Sequence, residues 1–574
     1  MLREFHEQNR AAFRAEVERA RRARVAALRG VPEARIELAR VHEELLEFDA
    51  AIEVLREAIG ARQSAGLYIE LIRILASCNA TAEAIAVAEE ACGLFPGRLI
   101  FRLKRALTLP VVYATQEELE DYRARFARGL GEVERNLALD TEEQREDAVS
   151  AIGAHENFLL CYQMRDDREL QVRYSALVRR ILEARYPDLY RFEPPRSRAG
   201  QRIRVGYISP HLHRHSVSKA YAGWIPGRNR RDFETFVYHV SGNEETRDDI
   251  LRVADHVRPV SGAVDEIAAA LRADAPDAVI FLDVGMHPLT TMLAAVRLAR
   301  VQCVTWGHPV TSGSRECDFF LSSELMEPED AGRCYSEELV RLPGVGVCYP
   351  KPVIPRAILD PSRSRFGLGE DRTVYVCSQS TFKYVPEHDD IFARIATEVP
   401  RAQFVFVAPR PPVAEAFRQR LRRAFSAAGL AADQYCVILP FLDFFDYLAL
   451  TLAGDAYLDP PGFSGFNMAL EAIACGLPVV TWPGDFLRGR LAYGALTQMG
   501  VSETIARSKE EYIAIAARLG TDLPWRDRII VRMADRSTAL YSDERCVHAL
   551  ERFLAGAGLL RSGGQKDTAE VPDQ

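Results

Sequence analysis

Residues 455–484 read DAYLDPPGFSGFNMALEAIACGLPVVTWPG. A short apolar run, DAYLDP (455–460), breaks into a turn containing Gly462 and Gly465. Apolar positions then recur at helical spacing from Asn467 until Gly476 and Pro478 stop them, and a β-rich run, PVVTWPG (478–484), follows. Strand, glycine-rich turn, helix and strand form the repeating unit of a parallel α/β sheet. A glycine-rich turn that opens a helix presents backbone N–H groups and the positive end of the helix dipole, which suits a phosphate. Ser464 and Asn467 are placed to cap or touch that anion. Glu471, one turn further on, is placed to accept both hydroxyls of a ribose. An ordinary β–turn–α connection with a capping Asn and a solvated Glu fits the motif equally well.

Upstream, RTVYVCSQS (372–380), AQFVFVAP (402–409) and YCVILPF (435–441) complete a five-strand series. Before a proline-rich hinge, Tyr349 to Pro355, lies a similar series: RIRVGYIS (202–209), FETFVYHVS (233–241), DAVIFLDV (277–284), RVQCVTWG (300–307) and CDFFLSS (317–323). Continuous rather than alternating apolar runs are those of parallel strands buried on both faces. Two Rossmann-like domains are therefore expected, over 196–350 and 356–556, with ligands bound beyond the carboxyl ends of the strands. The segment EPPRSRAG (193–200) marks the boundary with a first part rich in Ala, Leu, Glu and Arg, which reads as helix. There, Phe48-x-x-Ala51-Ile52 with Ala58 recurs 33 residues later as Thr81-x-x-Ala84-Ile85 with Ala91. That period is close to that of tetratricopeptide repeats. Residues 1–110 are expected to hold degenerate repeats, 111–195 a helical connector, and 557–574 a disordered tail.

The 574 residues carry 73 basic and 81 acidic side chains, a net charge of −8, which argues against a nucleic-acid binder. No apolar run approaches a membrane span, and the charged start, MLREFHEQNR, has no signal-peptide core. Eleven scattered cysteines without a CxxC pair read as reduced thiols, so a cytoplasmic location is expected. Only six of the basic residues are lysine: Lys104, Lys219, Lys351, Lys383, Lys509 and Lys566. A lysine inside a motif is correspondingly less expected by chance.

Lys383 follows the 372–380 run, where it is placed to neutralise a diphosphate as a compact point charge. In the other domain the first run leads into His211-Leu-His213-Arg-His215, and His256, His287 and His308 follow later. Imidazoles in such loops serve as metal ligands or handle protons in a sugar site. Metal is disfavoured, because two hinged domains are not a single barrel and the flanking carboxylates follow no ligand spacing. The loop Gly307-His308-Pro309-Val310-Thr311-Ser312-Gly313 is suited to hydroxyl recognition.

Five segments occur in a telling order: Arg204-Val-Gly-Tyr-Ile-Ser209 with His215, Trp306-Gly-His-Pro-Val-Thr-Ser-Gly313, Tyr335-Ser-Glu337 with Leu342-Pro343, Lys383-x-x-Pro386, and Pro478-Val-Val-Thr-Trp-Pro-Gly484. Together they resemble the catalytic region of the O-GlcNAc transferase family, over residues ~200–555. The resemblance implies a two-domain GT-B fold behind tetratricopeptide repeats. It also implies an inverting glycosyltransferase that needs no metal or cofactor and transfers a hexose, N-acetylglucosamine or a relative, from a UDP-sugar to Ser or Thr of a protein held by the repeats. Residue by residue it implies His215 and His256 in acceptor and proton handling and Lys383 on the diphosphate. It implies Gln379, Ser464, Gly465, Phe466 and Asn467 around the phosphates, Glu471 at the ribose, Phe444, Phe445 or Tyr447 at the base, and His308, Pro309, Thr311 and Ser312 at the sugar and acceptor. The chain departs from the family where His-Thr-Thr at the phosphate turn is replaced by Phe466-Asn467-Met468. That loss of hydroxyl donors leaves open a non-catalytic repeat scaffold, and also a different sugar on a flagellin or adhesin. A homo-oligomer is compatible with the sequence.

Overall fold

A computed structural model describes residues 2–194, 201–240 and 246–559. Most of the boundary segment 193–200 and most of the tail 557–574 lie outside the described residues. The first part is helical, as the composition predicts. Helices Phe48–Ala61 and Thr81–Leu94 begin 33 residues apart, each followed by a partner, Ala65–Ser77 and Leu99–Leu107. Ala51, Ala84 and Ala91 are fully buried, because a methyl lets consecutive helices approach closely. The connector supplies helices Gln116–Arg135, Glu142–Gly153 and Arg168–Arg185. Thr115 caps the first, and Thr141 with Gln144 forms a capping box on the second.

The two α/β domains follow. The first is a seven-stranded parallel sheet of β1 (Ile203–Ser209), β2 (Phe233–Val240), β3 (His256–Val260), β4 (Ala278–Phe281), β5 (Val301–Thr305), β6 (Phe319–Ser323) and β7 (Glu338–Leu342). Its order is β3-β2-β1-β4-β5-β6-β7. The second is a five-stranded parallel sheet of β8 (Thr373–Cys377), β9 (Ala402–Val407), β10 (Cys436–Leu439), β11 (Ala456–Leu458) and β12 (Val479–Val480), in the order β10-β9-β8-β11-β12. Both are doubly wound, and their carboxyl ends face one cleft in the GT-B arrangement that the resemblance implies. β1 and β4 are fully or nearly fully buried, which is why they read as continuous apolar runs.

Two contacts tie the layers together. The last helix, Arg545–Leu554, crosses back to the first domain, where Phe553 meets Phe319 edge-on at 4.9 Å and Glu551 accepts a hydrogen bond from the backbone of Asn229. The C-terminal stretch of 356–556 is therefore not packed on the second domain alone. The helical part also grips that second domain. Arg420, buried, donates to the carbonyl of Tyr113, and Arg488, buried, pairs with Asp167. Asp167 also pairs with Arg123 at 2.9 Å. Removing one partner of a buried pair leaves an uncompensated charge, at a cost of about 3–5 kcal/mol, so the helical layer and the α/β domains form one packed unit.

Candidate active site

The second domain supplies the floor of the cleft. β8 ends in Cys377, and the chain turns through Ser380 into a short 3₁₀ segment, Thr381–Lys383. There the Lys383 ammonium donates to Gln379 Oε1 at 2.9 Å and to the Ser464 carbonyl at 3.3 Å, above the Phe463 ring at 4.9 Å. The Gln379 amide donates in turn to the Tyr457 hydroxyl at 2.7 Å. Two of the three ammonium hydrogens are thus fixed, and the third remains for a ligand. Burial pushes Lys383 down to about 8, although the nearby Asp459 carboxylate works in the other direction.

Asp459, at the end of β11, organises the glycine-rich turn. It accepts from Ser464 Oγ at 2.6 Å, the Gly465 amide at 2.8 Å and Thr481 Oγ1 at 2.8 Å, and burial pushes it up to about 6. The Ser464 hydroxyl also accepts from the Ala492 amide, so it is committed to holding the turn rather than to an anion. The helix Asn467–Cys475 opens straight after the turn with no side-chain cap, which leaves its first N–H groups facing the cleft. Gly465 sits directly against Gln379: a Cβ there would fall 1.6 Å from the amide nitrogen.

The first domain supplies the roof. His215 caps the helix Ser216–Tyr221, its Nδ1 accepting from the Val217 amide at 3.2 Å. An Nδ1 that accepts carries no proton, so the neutral ring holds its proton on Nε2 and offers the cleft a donor. Burial is the main cause that pushes His215 down to about 4. Its ring stacks on His211 at 4.2 Å. Among the described residues no three His, Cys, Asp or Glu side chains are arranged to hold a metal ion. His308 is buried, stacks on Phe158 at 5.7 Å, and is driven by burial to about 3, so it stays neutral. Pro309 lines the cleft beside it.

The cavity so formed is about 350 Å³ and open to solvent. It brings together His215, His308, Pro309, Gln379, Lys383, Gly465, Phe466 and Asn467. The domains touch across it. Asn467 Nδ2 donates to the Ser216 carbonyl at 3.1 Å, Trp306 meets Phe466 edge-on at 5.0 Å, and Lys219 pairs with Glu471 at 2.8 Å. Glu471 thus meets a cation from the opposite domain instead of standing solvated.

The structure does not bring every expected residue to the cleft. His256 begins the edge strand β3, pairs with Glu234 at 2.8 Å and stacks on Phe236, outside the lining of the cleft. Thr311 and Ser312 turn inward, both donating to the buried Glu337, and hold the loop instead of offering hydroxyls to a sugar. Tyr447 is buried behind the helix, with its hydroxyl 3.4 Å from the Met468 carbonyl. Phe445 lies under Arg10 of the first helix. The exposed Phe444 is the aromatic that stands by the Lys219–Glu471 pair, with the Lys219 ammonium 4.8 Å from its ring. Missed altogether were Lys219, one of only six lysines, and Phe158 and Tyr162, which the helical part sends into the cleft.

The lowered value of Lys383 carries a pH prediction. An anion bound at Lys383 favours the charged lysine, which by itself exists mainly below pH 8. Affinity for a phosphate-bearing ligand such as UDP is therefore expected to fall as pH rises through that value, by up to about tenfold per unit well above it. Calorimetric titrations at neutral and alkaline pH check this; the dependence should vanish in Lys383→Met, and a flat wild-type profile contradicts it.

The model of glycosyl transferase family 41 matches residues 120–346 and 351–548. The chain belongs to glycosyl transferase family 41. The family 41 match begins inside the connector and so includes the segment that carries Phe158 and Tyr162. Among curated relatives, a probable UDP-N-acetylglucosamine–peptide N-acetylglucosaminyltransferase SEC of Arabidopsis thaliana is 28% identical over 379 residues, 64% of this chain and 38% of the relative. The similarly described SPINDLY of the same plant is 28% identical over 348 residues, 58% of this chain and 36% of the relative. The chain spans little more than a third of the length of these relatives. A solved structure of a Thermobaculum terrenum O-GlcNAc transferase mutant superposes with a TM-score of 0.67 at 22% identity, covering 94% of this chain and 98% of that one, which shows the shared fold. Among the described residues no helix is long and apolar enough to cross a membrane.

Proposed function

We propose that the protein is an inverting, metal-independent glycosyltransferase that moves a hexose, N-acetylglucosamine in the first instance, from a UDP-sugar to Ser or Thr of an acceptor protein. The observation that carries this reading is the half-buried Lys383 ammonium, fixed by Gln379 and the Ser464 carbonyl at the uncapped start of helix Asn467–Cys475. In the transfer, the acceptor hydroxyl oxygen forms a bond to the anomeric carbon as the bond to the diphosphate oxygen breaks, and the hydroxyl proton passes to the departing diphosphate or to water. The electron pair leaves on the diphosphate oxygen. A cation and a helix N-terminus placed there in advance stabilise the charge as it forms. His215, with its proton on Nε2, acts as a donor that orients a phosphate or sugar oxygen. It does not collect the acceptor proton through that nitrogen. The helical part supports a protein acceptor, and the cysteines, all free thiols, support a reducing, cytoplasmic setting.

Mass spectrometry of acceptor proteins incubated with UDP-N-acetylglucosamine, UDP-glucose and a GDP-sugar tests the reading. A mass increase of one sugar from a UDP donor is expected. A non-catalytic scaffold is favoured by one feature, the hydroxyl-free turn Phe466-Asn467-Met468. If no nucleotide or nucleotide sugar raises the melting temperature of the wild type, the scaffold reading stands and the enzyme falls. Stabilisation by UDP or its sugars that Lys383→Ala abolishes decides the other way.

A further inference from the structure

The segment Phe158–Gln163 belongs to the helical part, yet two of its side chains line the cleft between the catalytic domains. The segment is held rigidly. Gln163 bonds the Tyr113 hydroxyl at 2.7 Å and accepts from Arg123 at 3.0 Å, and Met164 closes it in the left-handed region at φ 56°. The Tyr162 ring stacks on Phe463 at 4.3 Å and packs on Phe382 at 4.4 Å, while Phe158 stacks on His308 at 5.7 Å. These rings form one continuous aromatic wall that begins 4.9 Å from the Lys383 ammonium. Within that wall His308 Nε2 is buried and has no hydrogen-bond partner. Leaving such an atom unpaired is costly unless a ligand supplies the partner.

We propose that Phe158 and Tyr162, with Phe463 and His308, form the platform that positions the pyranose ring of the donor, so that the helical part completes the sugar subsite; this rests on the transferase reading above. The sugar is bonded to the phosphate that Lys383 holds, so its ring must lie directly beside the ammonium. Glu471 lies one turn along the helix from Asn467, where Lys219 of the opposite domain pairs with it, and the aromatic wall lines the cleft next to Lys383 itself. A pyranose offers an apolar face of C–H bonds, which suits the negative face of an aromatic ring. It also offers hydroxyls at its rim, one of which can pair His308 Nε2. Aromatic walls with a few fixed polar groups are the usual composition of small-molecule sites.

The test measures binding of UDP and of UDP-N-acetylglucosamine to the full chain carrying Phe158→Leu, Tyr162→Ala or Tyr162→Phe. UDP lacks the sugar, so its affinity is expected to change less than about twofold in every variant. Affinity for the UDP-sugar is expected to fall about tenfold in Phe158→Leu and Tyr162→Ala and to be kept in Tyr162→Phe. If Tyr162→Ala does not fold, the half-buried Phe158→Leu carries the comparison. Equal losses for both ligands would mean a structural role and overturn the proposal, as would no change for either. A wild type that binds neither ligand overturns the transferase reading as well, whereas a wild type that binds both without a differential effect overturns this proposal alone.

Discussion

Lys383→Arg is expected to lower sugar transfer by about 100- to 1000-fold, the range seen when one preorganised donor to a developing oxyanion is lost, while the protein still folds. The Nζ position is defined from two sides, by Gln379 Oε1 and the Ser464 carbonyl, with the Phe463 ring beneath it. A guanidinium is longer and planar, and it spreads its charge over a fork that cannot keep both contacts and still place a compact charge at the phosphate. Its extra bulk meets Gln379 and the turn at Gly465, both buried against the floor. Charge is conserved by the substitution, so a loss isolates geometry from net electrostatics. Kinetics at saturating donor, with a thermal melt to confirm folding, check it. Activity within a fewfold of wild type would falsify the placement of the diphosphate at this lysine.

The sheets were largely legible in the sequence. All ten continuous apolar runs became strands, because the inner strands of a doubly wound sheet are covered on both faces. The two strands not foreseen, β3 and β7, are the edges of the first sheet, with exposed or half-exposed residues such as Arg258, Pro259, Glu338 and Arg341. An edge strand has no need of a continuous apolar run, so it leaves no such signature. Strand ends were overestimated where the chain leaves the sheet towards the cleft, as at Gln379 and Pro460, where the residues serve the site instead of the ladder.

The site was legible where a residue type is scarce or a turn is tight. Lys383 stood out among six lysines, and the turn before Asn467 announced its glycine. Lys219 carried the same compositional signal, but its partner Glu471 lies 252 positions away, and pairing across two domains leaves no local pattern. The placement of His256 was not legible, because an Ala-Asp-His segment looks alike whether it begins an edge strand or borders a cleft. The bonds of Thr311 and Ser312 to Glu337 were not legible, because hydroxyls that hold a loop and hydroxyls that bind a sugar have the same sequence. Phe158 and Tyr162 sat in a region read as a connector, where aromatics ordinarily mean core. Only the fold reveals that the connector reaches the floor of the cleft.

Gly465→Ala should remove most activity without adding or deleting any polar group. The Cβ would sit 1.6 Å from the Gln379 amide nitrogen and 2.6 Å from its carbonyl carbon, too close for any real contact. Gln379 is buried and bonded at both ends, to Lys383 and to the Tyr457 hydroxyl, so it has no neighbouring space to enter without breaking both bonds. The backbone is no freer, since the Gly465 amide is held by Asp459 and the Ser464 carbonyl carries the second contact to Lys383. Overpacking of this kind costs about 1–3 kcal/mol, and displacing the ammonium by about an ångström costs about 100-fold in rate. Stability and activity then separate in a second variant. Adding Gln379→Ala removes the clashing amide, so the double variant is expected to melt close to wild type yet stay about as inactive as Gly465→Ala, because Lys383 has lost its acceptor. Recovery of transfer together with stability would show that Gln379 fills space and that the lysine is held by the Ser464 carbonyl alone.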